Sequence, residues 1–222
     1  MKLLVTRPEP GASATVARLT AMGHEAVALP CLTITPLPLQ LTAPPAALIV
    51  TSGQAIPALP ANLNDIPVFC VGDATADKLR MAGFTRVESA QGDAQALAQL
   101  VITRNVKGVH VLAVGTRHGL ALAARLQEAG LSVLRRRVYS VRRLPRLPAA
   151  LRDALAAHEF DGALFYSTET AAAFTRLTPP GTAQMRAYLL SPNIKKGLQE
   201  LPWLVIHSAN APTEADLMAL LA

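Results

Sequence analysis

The sequence predicts an α/β protein made of two doubly wound parallel sheets. Short apolar runs typical of strands alternate with helical patterns along all 222 residues, as in parallel α/β proteins. Internal repeats indicate that this pattern occurs twice. Two extended, proline-bearing segments separate the repeats, and prolines at their ends suit edge strands. Together these observations predict two α/β lobes joined by a two-stranded linker.

The apolar runs predict ten strands, in two sheets of five. The strands are expected near residues 2–6, 25–30, 47–51, 67–71, 85–89, 109–114, 131–138, 162–166, 187–190 and 203–207. The helices expected between them include "GASATVARLTAMG", "DATADKLRMAGF", "DAQALAQLVITR", "GLALAARLQEAG" and "TEADLMALLA".

The repeats define the lobe boundaries. "ALIVTSGQA" resembles "GALFYSTETA", and "VFCVGDATADKL" resembles "AYLLSPNIKKGL". A second repeat joins "VARLTAMGHEAV" near the start to "AARLQEAGLSV" in the middle. If the last repeated piece pairs with the first, one lobe contains residues 1–36 and 146–222, and the other contains residues 37–145. The linker strands then lie near residues 31–38 and 138–145.

The composition is that of a globular protein. With 51% hydrophobic and 16% charged residues, the chain can bury a substantial core and carries too little charge to be disordered. No apolar run approaches the ~20 residues that a membrane-spanning helix needs. We therefore expect a cytoplasmic protein with no membrane contact. Cys31 and Cys70 stand far apart inside apolar runs, so we expect buried free thiols, with no disulfide and no metal site.

Positive charge is concentrated in one stretch. The formal net charge is +6, and "LRRRVYSVRRLPR" holds six of the 21 basic residues around a single tyrosine, without an acid. Such a patch could attract nucleic acid, but only 4% of residues are aromatic and no nucleic-acid-binding motif occurs. A small polyanionic ligand explains the charge as well, so we expect no nucleic-acid partner.

Polar residues follow the predicted strands at their carboxyl ends, where doubly wound sheets bind ligands and helix N-termini favour anions. They are Arg7, Thr51, Ser52, Gly72, Asp73, Thr116, Arg117, Ser167, Thr168, Ser191 and Asn193. Hydroxyl, amide, glycine and arginine groups suit anion binding. The five histidines show no HExxH spacing, and the GxSxG, GxxxxGK[ST] and GxGxxG motifs are absent. This argues against hydrolases, P-loop enzymes and dinucleotide enzymes.

Each of these residues also has a purely structural interpretation. A serine or threonine after a strand is commonly a helix N-cap. Arg7 and Arg117 could be solvated surface residues, and Tyr139 could simply pack in a linker strand. His118 could be an ordinary surface residue. The residue pattern leaves these alternatives open.

The ordered segments "LLVTRPEPGASATVARLTAMGHE", "LIVTSGQA", "VFCVGDATADKLRMAGF", "RRRVYSV" and "FYSTETAAAF" resemble the uroporphyrinogen-III synthase family of tetrapyrrole biosynthesis. The resemblance covers essentially the whole chain and implies two flavodoxin-like lobes. It also implies a cofactor-free hydro-lyase of heme biosynthesis that cyclises hydroxymethylbilane to uroporphyrinogen III. The last pyrrole ring is inverted and water is lost. We expect a monomer, with the preceding pathway enzyme as a candidate partner.

The resemblance also assigns site residues. Tyr139 matches the family's tyrosine that helps the terminal hydroxyl of the substrate to leave. The family's serines and threonines after the strands match Thr51, Ser52, Thr75 and Ser167. Where the family often has a Gly-Pro-x-Thr-Ala turn, this chain reads "LLSPNIKKGL", so Ser191 and Asn193 stand in that place.

The acid role of Tyr139 agrees with the ordinary chemistry of a phenol. A phenol, with an ordinary pKa of about 10, is protonated at neutral pH and can act as a general acid. Strand alternation places Arg135, Arg137, Tyr139 and Arg143 on one face. We therefore expect Arg137 to bind the polycarboxylate substrate together with the strand-end residues.

Two other functions remain compatible with the residues. One is a non-catalytic two-lobed sensor that binds an anion or a tetrapyrrole and leaves it unchanged. The other is a nucleic-acid-binding protein driven by the basic stretch, whose affinity would fall steeply with salt.

Overall fold

The computed structural model describes residues 1–221, and these residues form two compact units. The first unit contains residues 1–33 together with the described residues from Arg142 onward, and the second contains Ile34–Val141. Each unit is an α/β structure with its own sheet. The predicted fold class is confirmed. That the units are the domains inferred from the repeats stays a prediction.

The first unit contains a five-stranded sheet in the order β11-β10-β9-β1-β2. Its neighbouring strands all run parallel. The central strands are continuous apolar runs because both faces of a parallel sheet are covered by helices. Leu3, Leu4 and Val5 of β1 are fully buried as a result. The strands are β1 (Lys2–Val5), β2 (Glu25–Ala28), β9 (Gly162–Phe165), β10 (Arg186–Leu189) and β11 (Val205–Ser208).

The sheet of the second unit has the order β3-β8-β7-β4-β5-β6. The pairs formed by β4, β5, β6, β7 and β8 are parallel. One core lies on each face, with Leu48, Val50 and Val111 on one side and Ile49 and Leu112 on the other. The strands are β3 (Leu32–Pro36), β4 (Ala47–Val50), β5 (Val68–Cys70), β6 (Val87–Ser89), β7 (Val109–Gly115) and β8 (Ser132–Arg143).

The described residues form seven α-helices, of which six lie between strands and α7 follows β11, and several have side-chain caps. Asp93 caps α3 by accepting hydrogen bonds from the amides of Gln95 and Ala96 at 2.8 and 3.0 Å. Asn105, in the left-handed conformation, ends the same helix. The helices are α1 (Gly11–Ala21), α2 (Asp73–Met81), α3 (Ala94–Arg104), α4 (Leu120–Glu128), α5 (Ala149–Ala156), α6 (Thr168–Thr175) and α7 (Glu214–Ala219).

The prediction of ten strands in two sheets of five was wrong by one strand. The described residues form eleven strands, five in one sheet and six in the other. The difference arises because β8 continues past its predicted end at residue 138 as far as Arg143. Its extension provides an edge on which the extended segment Leu32–Pro36 adds as β3.

The sequence repeats have a structural counterpart. The spatial order β2-β1-β9-β10-β11 in one sheet corresponds piece by piece to β8-β7-β4-β5-β6 in the other. Each sheet has two neighbouring strands from which the chain continues to opposite edges of the sheet. The position between those two strands is a topological switch point. These switch points lie between β1 and β9 and between β4 and β7. Doubly wound sheets bind ligands beyond the carboxyl ends of such strands.

Candidate functional site

The switch point of the second unit carries several of the predicted site residues. Thr51 and Ser52 directly follow β4, while Thr116 and Arg117 directly follow β7. The Ser52 hydroxyl accepts a hydrogen bond from the amide of Gln54 at 3.3 Å and so caps a short 3₁₀ helix. Arg117 is exposed, and no ion pair joins it to an acid of the described residues.

Gly72 and Thr75 lie beyond the neighbouring strand β5. Gly72 is the N-cap of α2 in an extended conformation, and no atom lies within 4 Å of the position that a Cβ would take. Its backbone is therefore open at the start of a helix. Thr75, in the first turn of α2, is half-buried, and its amide donates to the carbonyl of Gly72 at 3.0 Å.

Tyr139 reaches the same edge of the sheet through a β-bulge. Val114 of β7 pairs with Arg137, but the next residue, Gly115, pairs with Tyr139, so Val138 is the extra residue. Val138 and Tyr139 are consequently both buried in the same core cluster. The Tyr139 side chain is only 6% exposed. The bulge thus fixes the phenol against the end of β7.

The Tyr139 ring lies directly over Gly115. A Cβ at position 115 would lie 2.7 Å from Cε2 and 2.8 Å from Cζ of that ring, so only glycine leaves enough room. The Tyr139 carbonyl accepts hydrogen bonds from the amide and the hydroxyl of Thr116, at 3.0 and 3.2 Å. The residues after β7 therefore contact the tyrosine from two directions.

The prediction that Arg135, Arg137 and Tyr139 share one face of β8 is wrong because of the bulge. Strict alternation required Arg135, Arg137 and Tyr139 to point the same way, but the extra residue breaks the alternation between Arg137 and Tyr139. Arg137 is exposed and lines a groove of about 680 Å³ with Arg135, Arg136 and the segment 38–42. Arg135 instead donates to main-chain carbonyls after β7.

The switch point of the first unit contains a polar network around Arg7. The Arg7 guanidinium lies 4.0 Å from the ring centre of Tyr166, and its Nη1 lies 3.4 Å from Oε1 of Glu214. The hydroxyls of Thr15 and Tyr166 both lie 3.2 Å from the same carboxylate oxygen. Burial raises the pKa of Tyr166, its hydrogen bond with Thr15 opposes this shift, and the Glu214 charge adds to it. Arg7 is therefore held in place, not freely solvated.

The hydroxyls after β9 and β10 have different surroundings. Ser167 caps α6, since its Oγ accepts from the amide of Thr170 at 3.1 Å and lies 2.8 Å from the Thr170 hydroxyl. Thr168 donates to the carbonyl of Asn193 at 3.3 Å, which ties α6 to the residues after β10. Ser191 stands at the N-cap of a 3₁₀ helix but makes no side-chain capping hydrogen bond.

Cys31 and Cys70 are buried free thiols, as predicted. Burial raises their pKa values to about 12 and about 11, respectively. Across residues 1–221, no three histidine, cysteine or acidic side chains cluster as metal ligands would. None of the described helices has the length and apolar character needed to span a bilayer.

Comparison with known proteins decides the family. The family model described as uroporphyrinogen-III synthase HemD matches residues 13–219. The chain belongs to the uroporphyrinogen-III synthase family. This confirms the family that the sequence resembles and favours the synthase over a non-catalytic sensor module.

Solved structures of uroporphyrinogen-III synthases share the fold. The enzyme from Helicobacter pylori has a TM-score of 0.67 at 19% identity, covering 100% of this chain and 98% of the other. A mutant enzyme from Thermus thermophilus has a TM-score of 0.64 at 15% identity, covering 100% and 97%. At these identities the likeness supports the fold alone. A search of curated proteins finds no match.

Uroporphyrinogen-III synthases cyclise hydroxymethylbilane, and this chain is an enzyme of that type. Several polar groups at its switch points were not identified from the sequence. Glu214 is separated from Arg7 by 207 positions, so no local pattern reveals their contact. Tyr166 does carry a signal, because it directly follows β9 inside the repeated segment "FYSTET". A search for aromatic hydroxyls at strand ends would have found it.

Proposed function

We propose that Tyr139 is the general acid of the cyclisation and that the strand-end residues of both units bind the substrate's carboxylates. The observation that carries the acid role is the bulge in β8, which sets the buried phenol over Gly115 at the carboxyl end of β7. That position adjoins the switch point, where doubly wound sheets bind ligands.

The proposed chemistry balances without a further reactant. The bond between the terminal carbon of hydroxymethylbilane and its hydroxyl breaks, and the electron pair leaves with the oxygen. Tyr139 gives its proton to that oxygen, so water departs and a conjugated cation remains. The substituted α-carbon of the last ring bonds to the cationic carbon, and the bond from that α-carbon to the neighbouring methylene then breaks. The methylene cation so formed bonds to the other α-carbon of the inverted ring, which loses its proton to the tyrosinate and so restores the phenol. No strong nucleophile is required, and one would trap the cation.

Substrate binding would come from groups that favour carboxylates. Exposed Arg117 and Arg137 supply positive charge, and Arg7 supplies it beside β1. Each charge-assisted hydrogen bond contributes about 1.5–3 kcal/mol. Correct placement of the last ring can lower the barrier by about 7–11 kcal/mol. The remaining binding residues in this proposal are Thr51, Ser52, Gly72, Thr75, Ser167, Thr168 and Ser191.

The surroundings of these groups support a role in substrate binding more strongly for some of them than for others. Gly72 offers open backbone, and the hydroxyl of Ser191 is not used as a cap. Ser52 and Ser167 already accept hydrogen bonds from helix amides, so they would contribute through their remaining hydrogen-bonding capacity. A hydroxyl can donate one bond and accept two.

The proposal is tested by turnover of freshly prepared hydroxymethylbilane and separation of the oxidised products by isomer. Wild-type protein should give the type III isomer, and Tyr139→Phe should lower kcat by about 100-fold, within the range for loss of a general acid. Tyr188→Phe is the matched control, because within residues 1–221 the Tyr188 hydroxyl hydrogen-bonds only to the sulfur of Met1, at 3.7 Å. Wild-type kcat in Tyr139→Phe would remove Tyr139 from the reaction.

The cellular setting belongs to the same proposal. The substrate would be taken up as it leaves the preceding pathway enzyme, by a cytoplasmic monomer without cofactor or nucleic acid. Two buried, unpaired thiols are in keeping with a reducing compartment.

A further inference from the structure

Arg135 is bound to the loop that follows β7. Its Nε donates to the carbonyl of His118 at 2.7 Å, and its Nη2 donates to the carbonyl of Thr116 at 2.8 Å. The same Nη2 lies 3.5 Å from the carbonyl of Gly115. One guanidinium therefore gathers three carbonyls within four consecutive residues. The planar fork of arginine suits this arrangement, whereas a lysine ammonium is a point charge on a flexible stem.

The same loop, residues 115–118, is also bound to Tyr139. The amide and the hydroxyl of Thr116 both donate hydrogen bonds to the Tyr139 carbonyl. Gly115 supports the Tyr139 ring, and the position of a Cβ there would also lie 3.1 Å from Cδ2 of His118. The loop therefore contacts both the Arg135 guanidinium and Tyr139.

Apart from these contacts, the loop has a hydrogen bond of its own, from the His118 amide to the Gly115 carbonyl at 3.0 Å. Thr116, Arg117 and His118 are all exposed, so burial of apolar surface does not fix them. The next residue, Gly119, is the N-cap of α4 and has no side chain with which to cap the helix. Hydrogen bonds from a charged donor are stronger than those between neutral groups. The three carbonyl contacts of Arg135 are therefore the charged restraint on this loop.

We propose that Arg135 is a positioning residue for the cyclisation: it holds loop 115–118 against Tyr139 and so fixes the direction of the phenol. This inference rests on the proposed role of Tyr139 as the acid. Arg135 does not itself contact the reacting atoms. Two of the three consecutive arginines of β8 then have separate roles, because Arg135 is bound to the loop and Arg137 is exposed.

The test compares kcat and KM of Arg135→Gln, Arg135→Lys and the matched control Arg136→Gln. Arg136 is adjacent on the same strand, and in the described part of the chain its side chain hydrogen-bonds only to the carbonyl of Arg135, at 3.5 Å. Arg135→Gln should lower kcat at least about tenfold with KM within about twofold, since a small displacement of a catalytic group can cost about 100-fold. Arg135→Lys should lie between wild type and Arg135→Gln. Arg136→Gln should keep wild-type kcat.

Two further measurements distinguish a positioning role of Arg135 from a purely structural role. In the Tyr139→Phe background, Arg135→Gln should change kcat by less than about twofold, because the group that it positions is gone. Labelling the three tyrosines with carbon-13 at Cζ gives three signals. Arg135→Gln and Arg135→Lys should move the Tyr139 signal and leave those of Tyr166 and Tyr188 unchanged.

The outcomes distinguish the two proposals. Wild-type kcat in Tyr139→Phe would overturn the acid role, and the positioning role with it. A loss in Tyr139→Phe with wild-type kcat in Arg135→Gln would overturn only the positioning role. Additive losses in the double variant, or a change in KM alone, would also overturn it. If Arg135→Gln fails to fold, the kcat and the Tyr139 signal of Arg135→Lys decide.

Discussion

Gly115 pairs with Tyr139 even though its predecessor on β7, Val114, pairs with Arg137. This one-residue slip turns Tyr139 into the core beside Val138, and the missing side chain of Gly115 provides the room for its ring. The glycine at the end of β7 therefore leaves room for the ring that the bulge in β8 turns toward it. The position of the proposed acid depends on both.

Replacing Gly115 by alanine should displace the phenol. The new methyl group would lie 2.7 Å from the Tyr139 ring, so ring or backbone must move. We expect kcat to fall at least about tenfold and the free energy of unfolding to fall by about 1–3 kcal/mol. Activity assays and denaturant unfolding measure both.

Gly53→Ala is the control for this substitution. A Cβ at position 53 would lie 3.0 Å from the flexible Lys78 side chain and in ordinary contact with Ile56, at 3.9 Å, so the free energy of unfolding should change by less than about 0.5 kcal/mol. If Gly115→Ala kept wild-type kcat, the close fit between position 115 and the phenol would have no catalytic importance.

Ser167 and Ser191 should respond differently to replacement by alanine. Ser167 caps α6 through the Thr170 amide, so its loss should cost about 1 kcal/mol in the free energy of unfolding. Ser191 makes no capping hydrogen bond, so Ser191→Ala should change stability by less than about 0.5 kcal/mol. If Ser191 binds substrate, its replacement should raise KM instead. Equal effects on unfolding, with KM unchanged in both, would contradict this division of roles.

Much of the fold could be predicted because the buried strands of a parallel sheet are continuous apolar runs in the sequence. Strand β4 is a run of four buried apolar residues, and β1 is almost entirely apolar. Helix α6 is harder to recognise, since Thr170, Ala171, Ala173, Phe174 and Thr175 are all buried and no polar face marks its period. A helix buried nearly all round lacks the amphipathic pattern on which sequence analysis depends.

The candidate site could be predicted only in part. Residues that follow strands, such as Ser52 and Arg7, are visible because strand ends can be located along the chain. The direction of Arg137 was predicted from alternation, and alternation fails where register slips. Register depends on how β8 meets β7, not on β8 alone. Contacts such as that of Arg7 with Glu214 depend on the tertiary fold.

Glu214→Gln should strengthen substrate binding. Glu214 is the acid nearest to Arg7, at 3.4 Å, and their side chains are 38% and 27% exposed. An ion pair this open contributes about 0–1 kcal/mol, so the fold should tolerate its loss. Without the competing carboxylate, Arg7 should attract a substrate carboxylate more strongly and lower KM by about twofold to fivefold.

Glu128→Gln is the charge-matched control, because Glu128 is exposed at the end of α4 and forms no ion pair among the described residues. Its KM should equal that of the wild type. A higher KM in Glu214→Gln would mean that Glu214 serves chiefly to orient Arg7, contrary to this expectation.

Buried His110 should make the protein less stable in mildly acidic solution. The side chain is fully buried on β7, and neither ring nitrogen makes a well-aligned hydrogen bond within the described residues, although the backbone of Ser132 and Gly108 lies near the ring. Burial lowers the pKa of His110 below its ordinary value of 6.5, and the backbone of Ser132 and Gly108 opposes this shift only in part. Below pH 6.5 the unfolded chain therefore binds a proton more readily than the folded chain.

Stability from the neutral His110 ring is fully present above pH 6.5 and is lost as the pH falls below that value. Denaturant unfolding of wild type and His110→Leu at several pH values measures this difference. The free energy of unfolding of the wild type should fall more steeply toward acid pH than that of His110→Leu. His158→Asn, which removes an exposed histidine at a positive φ of 55° that asparagine tolerates, should follow the wild type. Parallel curves for wild type and His110→Leu would show that the buried imidazole does not govern acid sensitivity.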